Sequence, residues 1–335
     1  MKHKLLFVIF LLPGLIFAQS GGNEAFPFLR IAPSSYEASL GGNLVTAGRS
    51  DIDLMWANPA LLDDSLHNQA SVSLTNFLAD ISMSTFAYAY DFEKIGIVSV
   101  GFHTLNYGEF QGYDAGGTEE GVFDARDLVF QVSNVQQAGN FKLGVSLKYI
   151  SGRIATIQSQ AIAVDLGGLF VHPEKEFTIG MAFKNMGIIL DQFSDASQSL
   201  PFDIEAGTTF KPRYMPFRFT ITVDNFFDDQ LYYQLPEDEL SGMNEYMDYA
   251  LRHLTLGTEL ILGKSVTVRG GYNHLLRREL KHQSGSGGAG FSFGFDLSLK
   301  RFGLNYGFQK FHFADGVHYF GLKANFNQMF FKKNS

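Results

Sequence analysis

The chain has 335 residues, with 26 basic and 34 acidic side chains and a formal net charge of −8, a balance that argues against nucleic acid as a partner. It contains no cysteine, so neither a disulfide framework nor a lipid-bearing cysteine behind an export signal is available. Thirty-four Phe, 14 Tyr and 35 Gly stand beside a single Trp, more aromatic surface than a soluble core of this size would use; a wall that shows Phe to lipid and bends at Gly would use it.

At the N-terminus, Lys2 and Lys4 precede an almost wholly apolar run, 5–17, interrupted only by Pro13-Gly14, and Ala18 supplies a small residue before Gln19. The run is too short to span a bilayer as a helix, so residues 1–18 are expected to be a cleaved secretory signal peptide. Residues 19–68 differ in kind from the rest. Ser34-Ser35 can start a short helix that Gly41-Gly42 ends, and Asn58-Pro59 favours a turn. This stretch is expected to be a plug or periplasmic cap.

From residue 69 to 331 the dominant signal is alternation with period two, read as a transmembrane β-barrel. Phe141, Leu143, Val145, Leu147 and Tyr149 share one strand face, against Lys142, Gly144, Ser146 and Lys148. Phe291, Phe293, Phe295, Leu297 and Leu299 oppose Ser292, Gly294, Asp296 and Ser298. Fourteen segments follow this rule: 69–76, 82–91, 94–104, 126–135, 141–153, 158–171, 176–185, 203–211, 217–225, 252–263, 264–273, 286–298, 301–310 and 316–329. Most have the length of a tilted strand crossing a bilayer. The links after even-numbered strands are short, and those after strands 3, 7, 9 and 11 are long, the sorting expected of periplasmic turns and outer loops with both termini periplasmic. Hydrocarbon offers no partner to a backbone N–H or C=O, so the sheet must close. The expected fold is therefore an all-β, 14-stranded antiparallel barrel with an N-terminal plug, located in an outer membrane.

No catalytic apparatus is legible. The nine histidines are scattered without a metal-ligand spacing, and no cofactor is expected. Residues 285–290 match G-x-G-x-x-G, but a strand follows and not the helix whose N-terminus would hold a phosphate. Two outer loops are acidic without a basic residue: 105–125, with Glu109, Asp114, Glu119, Glu120 and Asp124, and 226–251, with Asp228, Asp229, Glu237, Asp238, Glu239, Glu245 and Asp248. They are solvated surface or a docking face for a protein or a cation. Arg277, Arg278, Lys281 and His282 form a small basic patch suited to lipid phosphates or an acidic partner. The mixed charges of the inner face, Lys142, Lys148, Asp165, Lys184, Glu205, Arg218, Asp224, Glu259, Arg269 and Asp296, are expected to brace a barrel or plug.

The pairing of Leu40-Gly41-Gly42-Asn43 with Asn58-Pro59-Ala60-Leu61 resembles the N-terminal signature of FadL-like outer-membrane proteins. Further echoes are Ala25-Phe26-Pro27-Phe28-Leu29, Leu78-Ala79-Asp80-Ile81, Leu200-Pro201-Phe202-Asp203, Pro216-Phe217-Arg218-Phe219 and Ala289-Gly290-Phe291-Ser292-Phe293-Gly294. In that order they are similar to the PorV/PorQ group of the family, which serves the type IX secretion system of Bacteroidetes. The resemblance implies fourteen strands and an N-terminal plug carrying Gly41, Gly42, Asn58, Pro59 and Ala60. It also implies a scaffold barrel of the attachment complex that joins secreted cargo to lipopolysaccharide. The implied partners are a PorZ-like surface protein with PorU- and PorV-like components. The alternative is a FadL-like transporter of hydrophobic small molecules, although Leu61 stands where such transporters usually have Gly.

Overall fold

The computed structural model describes residues 24–77, 80–114, 116–193, 198–226, 245–280, 288–310 and 316–327. The strands are β1 (Gln69–Asn76), β2 (Ser82–Phe92), β3 (Gly96–Tyr113), β4 (Glu119–Ala138), β5 (Phe141–Ile154), β6 (Ile157–Val171), β7 (Phe177–Asp191), β8 (Asp203–Phe210), β9 (Phe217–Val223), β10 (Leu254–Leu262), β11 (Val266–Asn273), β12 (Phe291–Ser298), β13 (Phe302–Gln309) and β14 (Val317–Asn325). Every neighbouring pair is antiparallel, and β1 closes on β14 in register Gln69 to Asn325, so the barrel has no free edge. Fourteen strands and closure are what the alternation predicts.

The two faces separate by chemistry. Along β5, Gly144, Ser146, Lys148, Ile150 and Gly152 are buried, while Phe141, Leu143, Val145, Leu147 and Tyr149 are exposed. The same outward band includes Leu74, Phe130, Phe293, Phe295, Phe320 and Leu322. Each such side chain would gain roughly 1.5–3 kcal/mol on leaving water for hydrocarbon, so the outer surface is made for lipid.

β7 runs on to Asp191, past its expected end at 185, and two larger features depart from the sequence expectation. Residues 105–125 are not read correctly as a loop: β3 and β4 continue through most of them as a paired hairpin, past a bulge between Asn106 and Glu109, with pairing that runs as far as Tyr113 and Glu119. The strict alternation stops near residue 106, although Phe110, Tyr113 and Val122 remain exposed beyond it; main-chain pairing continues, because each strand still has its neighbour to bond. The hairpin therefore projects about 25 Å along the strand direction past Asn106, at ~3.3 Å per residue. Second, the long links contain short helices, α2 (Glu245–Arg252) and α3 (His274–Glu279), where the sequence is read as loop.

The wall is uneven. β8 and β9 pair over only five positions, Ala206–Val223 to Phe210–Phe219, and β7 has no β8 partner beyond Lys184. The long-loop end of the barrel is thus high at β3–β7 and low at β8–β9.

Candidate functional site

Residues 24–68 are enclosed by the strands. Helix α1 (Ser35–Ser39) packs on β11 to β14, the turn Pro59–Leu61 on β4 to β6, and the turn Ile52–Met55 on β1 and β2. Local chemistry sets each piece. Ser34 accepts a hydrogen bond from the Glu37 amide at 3.3 Å and caps α1. Gly41 and Gly42, at φ +108° and +98°, end it in a conformation that favours glycine. Asn58 accepts from the Ala60 amide at 2.9 Å and donates to the Val45 carbonyl at 2.9 Å, which fixes the Pro59 turn.

The wall is shaped to this segment by glycines whose missing side chains face inward. A Cβ at Gly144 would stand 2.4 Å from the Ala60 nitrogen, one at Gly271 would stand 2.3 Å from the Gly41 nitrogen, and one at Gly180 would stand 2.7 Å from Thr46. Gly207 likewise faces Val45, Gly294 faces Ser39, Gly307 faces Ser35 and Gly101 faces Trp56. Real Cβ atoms essentially never approach so closely, so wall and insert are complementary at backbone distance.

Charge completes the lock. Glu259 on β10 lies opposite both Arg218 on β9 and Arg269 on β11 in the strand register. Its carboxylate accepts from Arg218 at 2.9 Å, from Arg269 at 3.4 Å and from the Tyr36 hydroxyl at 3.3 Å. The Arg269 guanidinium sits 3.9 Å over the Tyr36 ring. Arg49 meets Asp296 at 2.9 Å, Lys323 meets Asp51 and Asp53, and Lys142 meets Asp63 at 3.3 Å. Lys148 pairs with Asp165 at 2.5 Å and Lys184 with Glu205 at 2.8 Å. The mixed-sign inner charges thus brace the barrel twice over, strand to strand through Lys148–Asp165, Lys184–Glu205 and the Glu259 set, and wall to insert through Lys142, Asp296 and Lys323.

The long-loop rim holds the other candidate residues. Glu109, Asp114, Glu119 and Glu120 all lie on the β3–β4 hairpin and are exposed. Asp114 accepts from the Thr118 and Gly116 amides at 2.8 Å; these backbone bonds, Thr118 first, hold its carboxyl below the usual range. Phe110 and Phe123 stack at 5.5 Å on the same hairpin. The basic patch is partly consumed. Asp248 on α2, fully buried, is met by Arg252 at 2.6 Å, by His274 at 2.9 Å and by Arg278. Arg278 is therefore a neutralised structural residue and not a free docking charge, while Arg277 lies 5.8 Å over the Phe291 ring. Burial raises the Asp248 carboxyl, but hydrogen bonds from His274, Arg252 and Arg278 outweigh it and hold the group below the ordinary carboxylate range. Asp228, Asp229, Glu237, Asp238, Glu239 and Lys281 lie outside the described residues. The Asp248 cluster was missed from sequence; its one local signal is the i, i+4 spacing of Asp248 and Arg252.

Above the insert a cavity of about 310 Å³ is lined by α1, β3, β5, β7, β8 and α3, and includes Glu37, Trp56, His103, Lys184, Glu205 and Gln309. Among the described residues no group of three His, Asp or Glu side chains converges as metal ligands would.

No protein-family model matches the chain, and no curated protein matches it in sequence. Among solved structures it is similar to a deltaS2 mutant of the TodX monoaromatic hydrocarbon channel, with 11% identity, 88% of this chain and 97% of that one covered, and a TM-score of 0.48. It is also similar to a FadL homologue of Pseudomonas aeruginosa, with 9% identity, 88% and 98% covered, and a TM-score of 0.46. A third similarity is to Omp33 of Acinetobacter baumannii, with 10% identity, 78% and 99% covered, and a TM-score of 0.37.

Proposed function

We propose that this chain is an outer-membrane barrel whose lumen is filled, and which works as an anchor: it holds a partner protein at its long-loop end, facing the cell surface, and does not conduct. What supports this reading above all is the backbone-level fit between residues 24–68 and the inward glycines of the wall. The insert is held by ion pairs to the wall, Arg49 with Asp296, Asp63 with Lys142, and Asp51 and Asp53 with Lys323, and by backbone contact; pulling it out would leave the wall's charges in the lumen without partners. The projecting β3–β4 hairpin, acidic at Glu109, Asp114, Glu119 and Glu120 and carrying the Phe110–Phe123 stack, supplies the docking face. The resemblance to the PorV/PorQ group supplies the context. In that setting the partner is a PorZ-like surface protein, with PorU- and PorV-like components nearby, and the work is attachment of secreted cargo to lipopolysaccharide.

The test is purification from membranes in mild detergent after photocrosslinking from Tyr113. Capture of one surface protein, and loss of cargo attachment in the deletion strain, is the expected result. Correct attachment in the deletion strain sinks the reading.

A second reading, a channel for hydrophobic small molecules, has one observation in its favour: the low wall at β8–β9, where β7 has no β8 partner beyond Lys184. It predicts that the deletion strain loses uptake of such molecules and retains secretion. Against it stand the charged side chains on the lining of the cavity, among them Glu37, Lys148, Lys184, Asp203 and Glu205.

A further inference from the structure

The geometry points to a binding site for the headgroup of an anionic phospholipid, at the short-turn end of the barrel beside the turn that joins β12 to β13. The three short turns between β8 and β13 carry basic side chains and no acidic one: Lys211 and Arg213 in 211–216, Lys264 in 263–265, and Lys300 and Arg301 in 299–301. The turns on the other half of the same rim carry Glu93, Glu174 and Glu176 against Lys94 and Lys175. Neighbouring turns lie two strands apart, so the basic arc repeats about every 10 Å along the rim. Lys211 is taken by Glu176 at 2.5 Å. Arg213, Lys264, Lys300 and Arg301 are exposed, and no acidic group among the described residues pairs with any of them.

At Lys300 and Arg301 the arc meets a cavity of about 200 Å³ between wall and insert, lined also by Arg49, Asp51, Asp296 and Lys323. The inner charges of that lining cancel, since Arg49 meets Asp296 at 2.9 Å and Lys323 meets Asp51. The two outer bases are left uncompensated, so the potential at the mouth favours an anion. The volume equals that of on the order of seven water molecules at ~30 Å³ each, room for a headgroup and not for acyl chains.

The flanks of the two bases decide which anion. The exposed members of the lining are Leu299, Lys300, Arg301 and Phe302. Leu299 stands in the outward row of Phe293 and Phe295, and Phe302 in that of Leu304, rows that face hydrocarbon. The mouth therefore lies where the apolar band ends and charge begins, the depth of lipid phosphates. An Arg beside a Lys suits a phosphate there, the guanidinium forking onto two oxygens and the ammonium adding a point charge. An acidic protein segment arriving from water would leave the apolar flanks unused. A phospholipid brings its phosphate to Lys300 and Arg301 and lays its acyl chains along Phe302 and Leu304. This inference needs the chain to lie in a membrane and does not depend on what docks at the long-loop rim.

The test uses the full chain, folded in detergent micelles, with native mass spectrometry counting bound lipid as phosphatidylglycerol or phosphatidylcholine of equal chain length is titrated in. Phosphatidylglycerol is expected to bind saturably and at least about fivefold tighter than phosphatidylcholine, and Lys300→Gln with Arg301→Gln should weaken it by about tenfold or more, as the loss of two charges near a lipid surface implies. Lys94→Gln with Lys175→Gln removes as many charges from the opposite half of the rim and should leave binding within about twofold of the parent. Should the first double variant lose the heat-modifiable gel mobility of a folded barrel, Arg301→Gln alone is read in its place, with the same direction of change. The inference is overturned by equal binding of the two lipids, by a folded variant at 300 and 301 that binds phosphatidylglycerol like the parent, or by an equal loss in the variant at 94 and 175. Displacement of the lipid by glycerol 3-phosphate at the lipid's own concentration overturns it too, because the site would then be one for free phosphate.

Discussion

Asn58 occupies the space that Gly167 leaves open: a Cβ at position 167 would stand 1.9 Å from the Asn58 Oδ1. The carboxamide is not free to step aside, because the same oxygen accepts from the Ala60 amide and its nitrogen donates to the Val45 carbonyl. A glycine on β6 and an asparagine in the insert are thus one structural unit, although more than a hundred residues separate them.

Replacing such a glycine by alanine should therefore cost more than its one methyl group suggests. Gly167→Ala and Gly144→Ala are each expected to destabilise the barrel by ~1–3 kcal/mol, the usual range for overpacking. Gly270→Ala, whose Cβ would meet only one atom, at 4.0 Å, should be near neutral. Urea unfolding followed by heat-modifiable gel mobility measures the difference; equal effects at 144 and 270 would show that the insert is not seated against the wall.

Removal of the Glu259 carboxylate should be more damaging than removal of an outer acidic residue. Glu259→Leu leaves Arg218 and Arg269 buried without their shared partner, a loss on the order of 3–5 kcal/mol. Glu120→Leu, on the exposed hairpin, should leave the unfolding midpoint where it was.

The α2–α3 contact should depend on acid in one direction. The folded-state pKa of Asp248 lies below its unfolded value, about 3.9, so its contribution is fully present above that pH and is lost as pH falls through the lower folded value. Amide exchange in 245–252 should stay protected at neutral pH and speed up in strong acid. Asp248→Asn should open the same segment at neutral pH, because Arg252, His274 and Arg278 lose a charged acceptor.

The docking reading rests on the hairpin, and the double substitution Phe110→Ser with Phe123→Ser removes its aromatic stack. Co-purification of the partner should fall severalfold while barrel mobility on the gel is unchanged. Retained capture would move the docking face elsewhere on the rim.

The strand number was legible because a strand writes its two environments into alternate residues, as Leu143, Val145 and Leu147 against Gly144, Ser146 and Lys148 do. The inner charges were legible as bracing for the same reason. The length of the β3–β4 hairpin was not, since above the apolar band hydrogen bonding alone extends a strand, and hydrogen bonding leaves no pattern in side chains. Arg278 read as a free basic charge because its acidic partner lies thirty positions earlier, in a helix too short to declare itself.

By itself the sequence determined that this chain alternates fourteen times between an apolar and a wet face, which in hydrocarbon obliges it to close. Only the tertiary structure decided which inward glycines receive the insert and which arginines share Glu259. Periodicity is a property of neighbours along the chain. These pairings join residues such as Tyr36 and Glu259, 223 positions apart, whose meeting depends on the barrel having closed around its insert.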